Sequence, residues 1–436
     1  MLTRLRVRNF KSIGDSPDVV NLELKPLTFF VGPNGAGKST ILEALGLLSQ
    51  SARVGVLALQ GPWVAFDPPD MACHKRVVTT PIAIAVEAQI DALVLKPAID
   101  QLDGVLKAEA SEHEFAKRKG ILARAPHRVE YGLAYSLSTS EILHALGIDG
   151  HKLIEARGGA AELHLKESRP VQLGGAIGPT PLTFAYLAAE GAWAPFLASV
   201  AKAMHDRISE KVAYVSAERG GRRTVPNDRP LEKPWWVGRR GENTIPCLAH
   251  TFGPAGSTES RDAIRHWAQR FGMGDAIAGW VLGSELRFDF TDPSLGVRLD
   301  YRAAGFGSQQ ILPVITALFA APKGSTLMIE EPEISLHPQG QLDATGMLAD
   351  AVAYGQQVLV TTHSKIVLMA LRKLVAKGQL RADQVAIYEV EKTQAGSKAE
   401  KLEVSSKGTI PGWVPTYARA EDELWREWFE GEDAAP

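Results

Sequence analysis

Cysteine is scarce in this sequence. Two residues in 436, Cys73 and Cys247, are too few and too far apart for a disulfide framework or a zinc ribbon. Two reduced thiols are expected. No apolar run approaches the roughly 18 residues of a membrane span, so no membrane segment is expected. The opening MLTRLRVRNFKSIGD alternates apolar and basic residues and lacks the unbroken apolar stretch of a signal peptide. Together these absences point to a cytoplasmic chain. Charge of one sign is lacking too, with a formal net charge of −2. The overall balance therefore gives no sign of nucleic acid, and only a local basic patch under a neutral total could do so. Internal repeats and low-complexity tracts are also absent.

What is there is ordinary globular material, 45% hydrophobic and 22% charged, enough for a sizeable core. The length suits two or three domains, or one large domain with an insertion. Leu2, Leu5, Val7 and Phe10 open a strand, with Arg4, Arg6 and Arg8 on its other face. A second strand is expected at Val19–Leu24, and Leu27–Val31 (LTFFV) reads as a buried strand. A helix is expected from Ser39 to about Leu48. Residues 81–91 read as a strand and 92–123 as charged helix. Residues 128–137 and 162–166 read as strands, 182–208 as a helix, and Val212–Val215 as a strand. Residues 219–246, rich in Arg, Gly and Pro, read as irregular. Helical pattern is expected at 260–281 and strands at 286–290 and 297–301. From there to about residue 391, helices and strands alternate, which predicts a largely parallel α/β sheet. An acidic amphipathic helix is expected from Tyr417 to Glu432.

Gly32-Pro-Asn-Gly-Ala-Gly-Lys-Ser-Thr40 matches G-x-x-x-x-G-K-[ST] between a buried strand and a helix. Each residue type has a task. Gly35 and Gly37 let the backbone curl so that the N–H groups of Gly32, Asn34, Gly35, Ala36 and their neighbours through Thr40 face phosphates. The helix N-terminus adds its positive dipole end. Lys38 supplies a charge for the β- and γ-phosphates, and the Ser39 hydroxyl is placed to ligate Mg²⁺. The pattern predicts a bound nucleoside triphosphate, ATP with Mg²⁺.

Leu327-Met-Ile-Glu330-Glu331-Pro-Glu333 is an apolar strand ending in paired carboxylates, where ligands gather in α/β folds. Glu330 is the candidate to hold Mg²⁺, directly or through water. Glu331 is the candidate to orient or deprotonate an attacking water, as phosphoryl transfer requires.

The sequence here resembles the ABC-type ATPases of the SMC, RecF and OLD (overcoming lysogenization defect) group. RLRVRNFKSIGD looks like their first strand, GPNGAGKST like their Walker A, and IEEPEISLHP like their Walker B with its D-loop, Glu330 standing in place of the usual Asp. Val358-Leu-Val-Thr-Thr-His363-Ser364 resembles their switch strand, which implies that His363 senses the γ-phosphate. Ala304-Gly305-Phe306-Gly307-Ser308-Gln309-Gln310 occupies the place of their LSGGQ signature. If Gly307 is the second glycine, Gly305 stands where Ser is expected, and Ser308 is the alternative hydroxyl. No Gln-loop is identifiable; Gln60 and Gln89 are the candidates. WVGRRGEN and GTIPGW look like features of standalone members found in bacterial defence and DNA-maintenance operons.

The resemblance covers about residues 1–50 and 285–395. It implies an α/β fold, an ABC-type P-loop ATPase with a mixed sheet and an inserted α+β or helical region. The expected division is an ATPase part over 1–90 with Walker A, an insertion over 91–284, a second ATPase part over 285–395 with signature, Walker B and switch histidine, and a tail over 396–436. With one phosphate loop and one signature per chain, it implies a homodimer, or a higher homo-oligomer, around ATP. The 73 residues after His363 are too few for a Toprim nuclease domain, so a separate effector, a nuclease or toxin, is expected to act. Arg219, Arg222, Arg223, Arg229, Arg239 and Arg240 with Trp235 and Trp236 are the candidates for contacting DNA; a solvated loop with packed tryptophans is the competing reading. Two other functions stay open, a transporter ATPase subunit and a non-hydrolysing ATP-bound scaffold. The 292 residues between Lys38 and Glu330 argue against the first. Lys38, Glu331 and His363 argue against the second.

Overall fold

The alternation of apolar and basic residues in Leu2–Arg8 (β1) becomes one buried and one partly exposed face. Val20–Glu23 (β2) follows, and then Leu27–Val31 (β3), buried at every residue. Lys38–Val54 (α1) carries Ile41, Leu42, Leu45 and Leu48 on its inward face, all with no exposed surface. Burial of each such side chain contributes about 1.5–3 kcal/mol.

Ile82–Ile90 (β4) alternates buried and partly exposed residues as a one-sided strand must. His127–Ser136 (β5), Glu141–Ile148 (β6), His151–Arg157 (β7), Ala160–Leu163 (β8) and Val171–Gln172 (β9) follow as a meander. Next come Ala194–His205 (α2), Val212–Val215 (β10) and Val225–Pro226 (β11). Thr244–Phe252 (α3), Thr258–Arg270 (α4), Ala278–Leu282 (β12), Glu285–Thr291 (β13) and Arg298–Asp300 (β14) form the middle of the chain. Phe306–Ala320 (α5), Thr326–Glu330 (β15), Pro338–Tyr354 (α6), Gln357–Thr362 (β16) and Lys365–Ala376 (α7) lead to Val385–Thr393 (β17) and Gly396–Leu402 (β18).

This computed structural model describes residues 1–15, 20–54, 57–91, 94–97, 100, 127–149, 151–157, 160–163, 171–172, 194–219, 225–226, 233–274, 278–282, 285–292, 294–301, 304–411, 413–419 and 422–423. Most of the helix expected over 92–123, the first part of 182–208, residues 164–166 and the tail helix beyond 423 lie outside them.

Three sheets result. An eight-stranded sheet runs β2-β1-β4-β5-β6-β7-β8-β9, antiparallel throughout. A six-stranded sheet runs β10-β15-β16-β3-β17-β18, parallel except for β18. A small antiparallel sheet joins β11, β13, β12 and β14. In the parallel sheet, β3, β10, β15 and β16 are buried on both faces, as crossover helices require. Phe30, Tyr214, Met328 and Leu359 face α1 and, beyond it, the antiparallel sheet. Phe29, Val215, Ile329 and Val360 face α5, α6 and α7. Gln357 ties the two sheets together. Its buried side chain accepts from Leu2 N (2.9 Å) and donates to Leu2 O (2.7 Å).

The mixed α/β sheet meets the expectation, with particular differences. The helix expected over 260–281 ends at Arg270, and Ala278–Leu282 pairs with β13. Gly274, at φ +55° and against Thr291, turns the chain there. The irregular segment 219–246 holds β11, and α3 begins at Thr244. β6 and β7 have no counterpart in the sequence reading. The strand Val212–Val215, within the stretch assigned to the insertion, pairs with β15 in the parallel sheet, and the division at 284/285 falls between the paired strands β12 and β13. Both cysteines are free and buried.

Candidate nucleotide site

Three parallel strands end side by side. The register sets Val31 of β3 against Thr362 of β16, and Thr361 of β16 against Glu330 of β15. The glycine loop, His363 and the carboxylates therefore leave the same edge of the sheet, with His363 in the middle. This is where ligands sit in open α/β folds.

The loop runs from Val31 to the start of α1 at Lys38. Gly32, Gly35 and Gly37 have φ of +137°, +72° and +107°, a region open to glycine at no steric cost. At Gly37 a Cβ would run into the hydroxyls of Ser397 and Ser12. Those two side chains brace the loop from both sides. Ser397 Oγ donates to Ala36 O (2.6 Å), and Ser12 Oγ donates to Thr40 Oγ1 (3.1 Å). Thr40 is thereby buried. Pro33, Asn34, Gly35 and Ser39 remain exposed.

Lys38 is 5% exposed. Its ammonium folds back onto the loop and donates to Gly32 O and Pro33 O, both at 2.9 Å. It also lies 3.3 Å from His363 Nδ1, and His363 Nε2 lies 2.9 Å from Glu331 Oε1. With an ammonium on one side and a carboxylate on the other, the ring accepts at Nδ1 and donates from Nε2. Burial lowers the Lys38 pKa to about 8, opposed by Glu331, Glu333 and Glu330. The Glu331 carboxyl is held below its ordinary value, first by the hydrogen bond from His363 and then by the charges of Lys38 and Arg219, against the cost of burial. Glu331 stands at φ +41°, a costly conformation for a side-chain-bearing residue. Its N–H donates to Thr361 O (2.9 Å).

Glu330 and Glu333 behave differently from Glu331. Both oxygens of Glu330 carry a protein donor, Tyr214 OH at 2.8 Å and Ala217 N at 3.0 Å. Glu333 Oε1 accepts from Thr362 Oγ1 and from His363 N (3.2 Å), fixing the turn that carries the histidine. Its buried Oε2 has no hydrogen-bond partner among the described residues, and burial raises the pKa of this carboxyl.

Gly305 caps α5 and is exposed, as is Phe306 at 65%. Gly307 packs against the backbone at Ser335, beside the carboxylate turn. The Ser308 hydroxyl donates to Phe271 O (3.1 Å), so its proton is already committed within the chain. Gly305 and Phe306, and not Ser308, are the free surface of this segment.

Residues 4–49 match a family model described as "AAA domain", and residues 214–370 match one described as "AAA domain, putative AbiEii toxin, Type IV TA system". The two matches hold every strand end just described. Over these two stretches the chain is similar to AAA-type ATPase domains.

A curated protein similar to this chain is "OLD nuclease" of Thermus scotoductus. It is 24% identical over 372 residues, covering 84% of this chain and 59% of the relative. The chain thus spans about three fifths of that protein's length. Solved structures with likeness are an SMC head bound to the C-winged helix domain of ScpA (TM-score 0.47, 11% identity, 93% of this chain and 98% of that one) and the SMC head domain from Thermotoga maritima (TM-score 0.43, 13% identity, 92% and 99%).

The site fits a magnesium nucleotide on its own geometry. The glycine loop opens onto solvent, Lys38 donates to carbonyls that a phosphate can replace, and Ser39 stands exposed at the head of α1. Glu330 already accepts from two donors, so it suits a contact to metal through water better than direct ligation. Mg²⁺ commonly keeps several waters and takes its other ligands from substrate phosphates.

Several other candidates are placed differently from the expectation. Arg219 is 3% exposed and bonds only within the chain. Arg239 pairs with Glu43 and covers the Tyr214 ring, and Trp236 packs edge-on against Trp63. Arg240, paired with Glu218, is the one arginine of that set exposed among the described residues. Arg222, Arg223 and Arg229 lie outside them. Among the described residues, the arginines of the set therefore form no exposed array. Gln60 donates to Phe66 O, and Gln89 lies beside Met1 at the far end of β1. The segment that leaves β10 next to the carboxylates is Ser216–Arg219, which contains no glutamine. Ser12, Ser397, Tyr214 and Arg219 were not assigned to the nucleotide site from the sequence. Only their position in the fold brings them to it.

Proposed function

We propose that this chain binds and hydrolyses ATP with Mg²⁺ and that two chains close around two nucleotides. The contact chain Lys38–His363–Glu331 across three adjacent strand ends carries the reading. A γ-phosphate entering beside Lys38 replaces the carbonyls of Gly32 and Pro33 as its partners. The loop N–H groups bind the remaining phosphate oxygens, and Ser39 offers its hydroxyl to the metal. Mg²⁺ supplies charge neutralisation at the β- and γ-phosphates. Glu331, ionised at neutral pH, orients a water and takes its proton as the water oxygen bonds to the γ-phosphorus and ADP leaves. His363 holds Glu331 through Nε2–H and faces the phosphate with its other edge.

The exposed turn Gly305–Phe306, a helix N-terminus without an anion of its own, is the surface offered to the partner's nucleotide. The dimer acts as a switch for a separate effector such as a nuclease, in DNA-related or antiphage processes. The test is phosphate release by the wild-type protein, Lys38→Ala and Glu331→Gln. Magnesium-dependent turnover lost in both variants supports the reading, with ATP binding lost only in Lys38→Ala. Wild-type protein that binds ATP without turnover, at any protein concentration and with or without DNA, refutes it.

A further inference from the structure

Arg219 is a buried guanidinium whose described hydrogen bonds run to backbone carbonyls. Nη1 donates to Ser216 O (2.9 Å) and Glu330 O (2.6 Å), Nη2 to Glu331 O (2.9 Å), and Nε to Gln310 O (2.9 Å). The bond is returned, because the Gln310 side chain donates to Arg219 O. Three pieces of chain meet here: the exit of β10, the end of β15, and the first turns of α5. Gln310 is buried too, one turn beyond the exposed Gly305–Phe306 turn. Arginine suits the place because its fork of fixed donors spans several carbonyls at once. A lysine offers one point of charge.

The carbonyls of Glu330, the last residue of β15, and of Glu331, both held by Arg219, flank the strained Cα of Glu331. A left-handed residue at a strand end persists where its surroundings over-determine it. The bonds to Glu330 O and Glu331 O do that, and so aim the Glu331 side chain at His363. The same guanidinium is bonded to the helix whose exposed first turn awaits the partner.

We propose that Arg219 and Gln310 form a clamp that positions Glu331 according to the seating of α5, so that engagement of Gly305–Phe306 by a second copy is transmitted to the catalytic carboxylate within the same chain. Arg219 is a positioning residue; it touches neither nucleotide nor water. It does its work through backbone carbonyls. The inference rests on the proposed ATPase function.

The test is steady-state hydrolysis by wild type, Arg219→Lys, Gln310→Ala and the double variant, with nucleotide affinity measured in parallel. In each single variant kcat falls about tenfold or more, since misplacement of a catalytic group by an ångström costs up to about a hundredfold. KM and nucleotide affinity stay within about threefold of wild type, because the phosphate loop is untouched. The double variant falls no further than Arg219→Lys, as two halves of one clamp must. Losses that multiply independently, an unchanged kcat, or a weaker affinity at unchanged kcat overturn the clamp. If Arg219→Lys fails to fold, as judged by circular dichroism, Gln310→Ala alone decides on the same kcat criterion. Absence of wild-type turnover in this assay would instead sink the ATPase reading.

Discussion

Lys38 gives the nucleotide site a pH dependence whose sign and size follow from its burial. In the nucleotide-free chain its pKa is lowered to about 8, with burial as the main cause and the three nearby glutamates opposing it. A bound triphosphate requires the ammonium and pulls its pKa upward. Binding above pH 8 must therefore take up a proton. With a free-state pKa of about 8, roughly nine-tenths of Lys38 is charged at pH 7, half at pH 8 and a tenth at pH 9. ATP affinity should thus weaken about tenfold between pH 7 and pH 9, worth about 1.4 kcal/mol. Titration calorimetry at pH 8 in two buffers of different ionisation enthalpy should report about half a proton taken up per ATP. Lys38→Met should bind weakly at every pH, with no such uptake. A dissociation constant flat from pH 7 to 9.5 would refute the reasoning. The sign for stability is separate. A folded pKa below the unfolded one means that the unfolded chain holds the extra proton between about pH 8 and 10.4. The penalty from Lys38 is thus fully present below pH 8 and is relieved as pH rises through that window.

Other outcomes follow from single contacts. Gly37→Ala places a Cβ against Ser12 and Ser397 at φ +107°, so nucleotide binding should fall at least about tenfold as the loop is forced open, read by fluorescent nucleotide titration. His363→Ala removes the hydrogen bond that orients Glu331 and should lower kcat by about a hundredfold while nucleotide affinity holds, read by phosphate release and binding side by side. Gln357→Leu strands the backbone N–H and C=O of Leu2 in the interior and should destabilise the fold by about 2–4 kcal/mol, read as a lowered unfolding temperature in the nucleotide-free protein.

The parts of the site that lie next to one another in sequence were legible without a structure. The phosphate loop could be read because its glycines, Lys38 and Ser39 are needed at fixed spacing between a strand and a helix. Glu331 and His363 could be read because each ends an apolar strand. What remained hidden depends on contacts between distant segments. Ser397 braces Ala36 across 361 positions, and no local pattern records that. Arg219 looked like a solvated arginine in a basic loop, yet it is buried. Its partners are carbonyls, which leave no trace in the sequence. In the antiparallel sheet, β6 and β7 carry Ala145, Gly147 and Ala156, residues of low strand preference, and are held by their neighbours. The strand Ala278–Leu282 was hidden by the helical pattern before it, which stops at Arg270.

The central claim is that one chain holds only part of a working ATPase site and that a second copy completes it. Sedimentation velocity of the Glu331→Gln protein, with ATP and Mg²⁺ and again with ADP and Mg²⁺, tests this most directly. The account predicts a dimer of chains with ATP that returns to the lower-order species with ADP. A species unchanged by ATP at concentrations that saturate the site would contradict it.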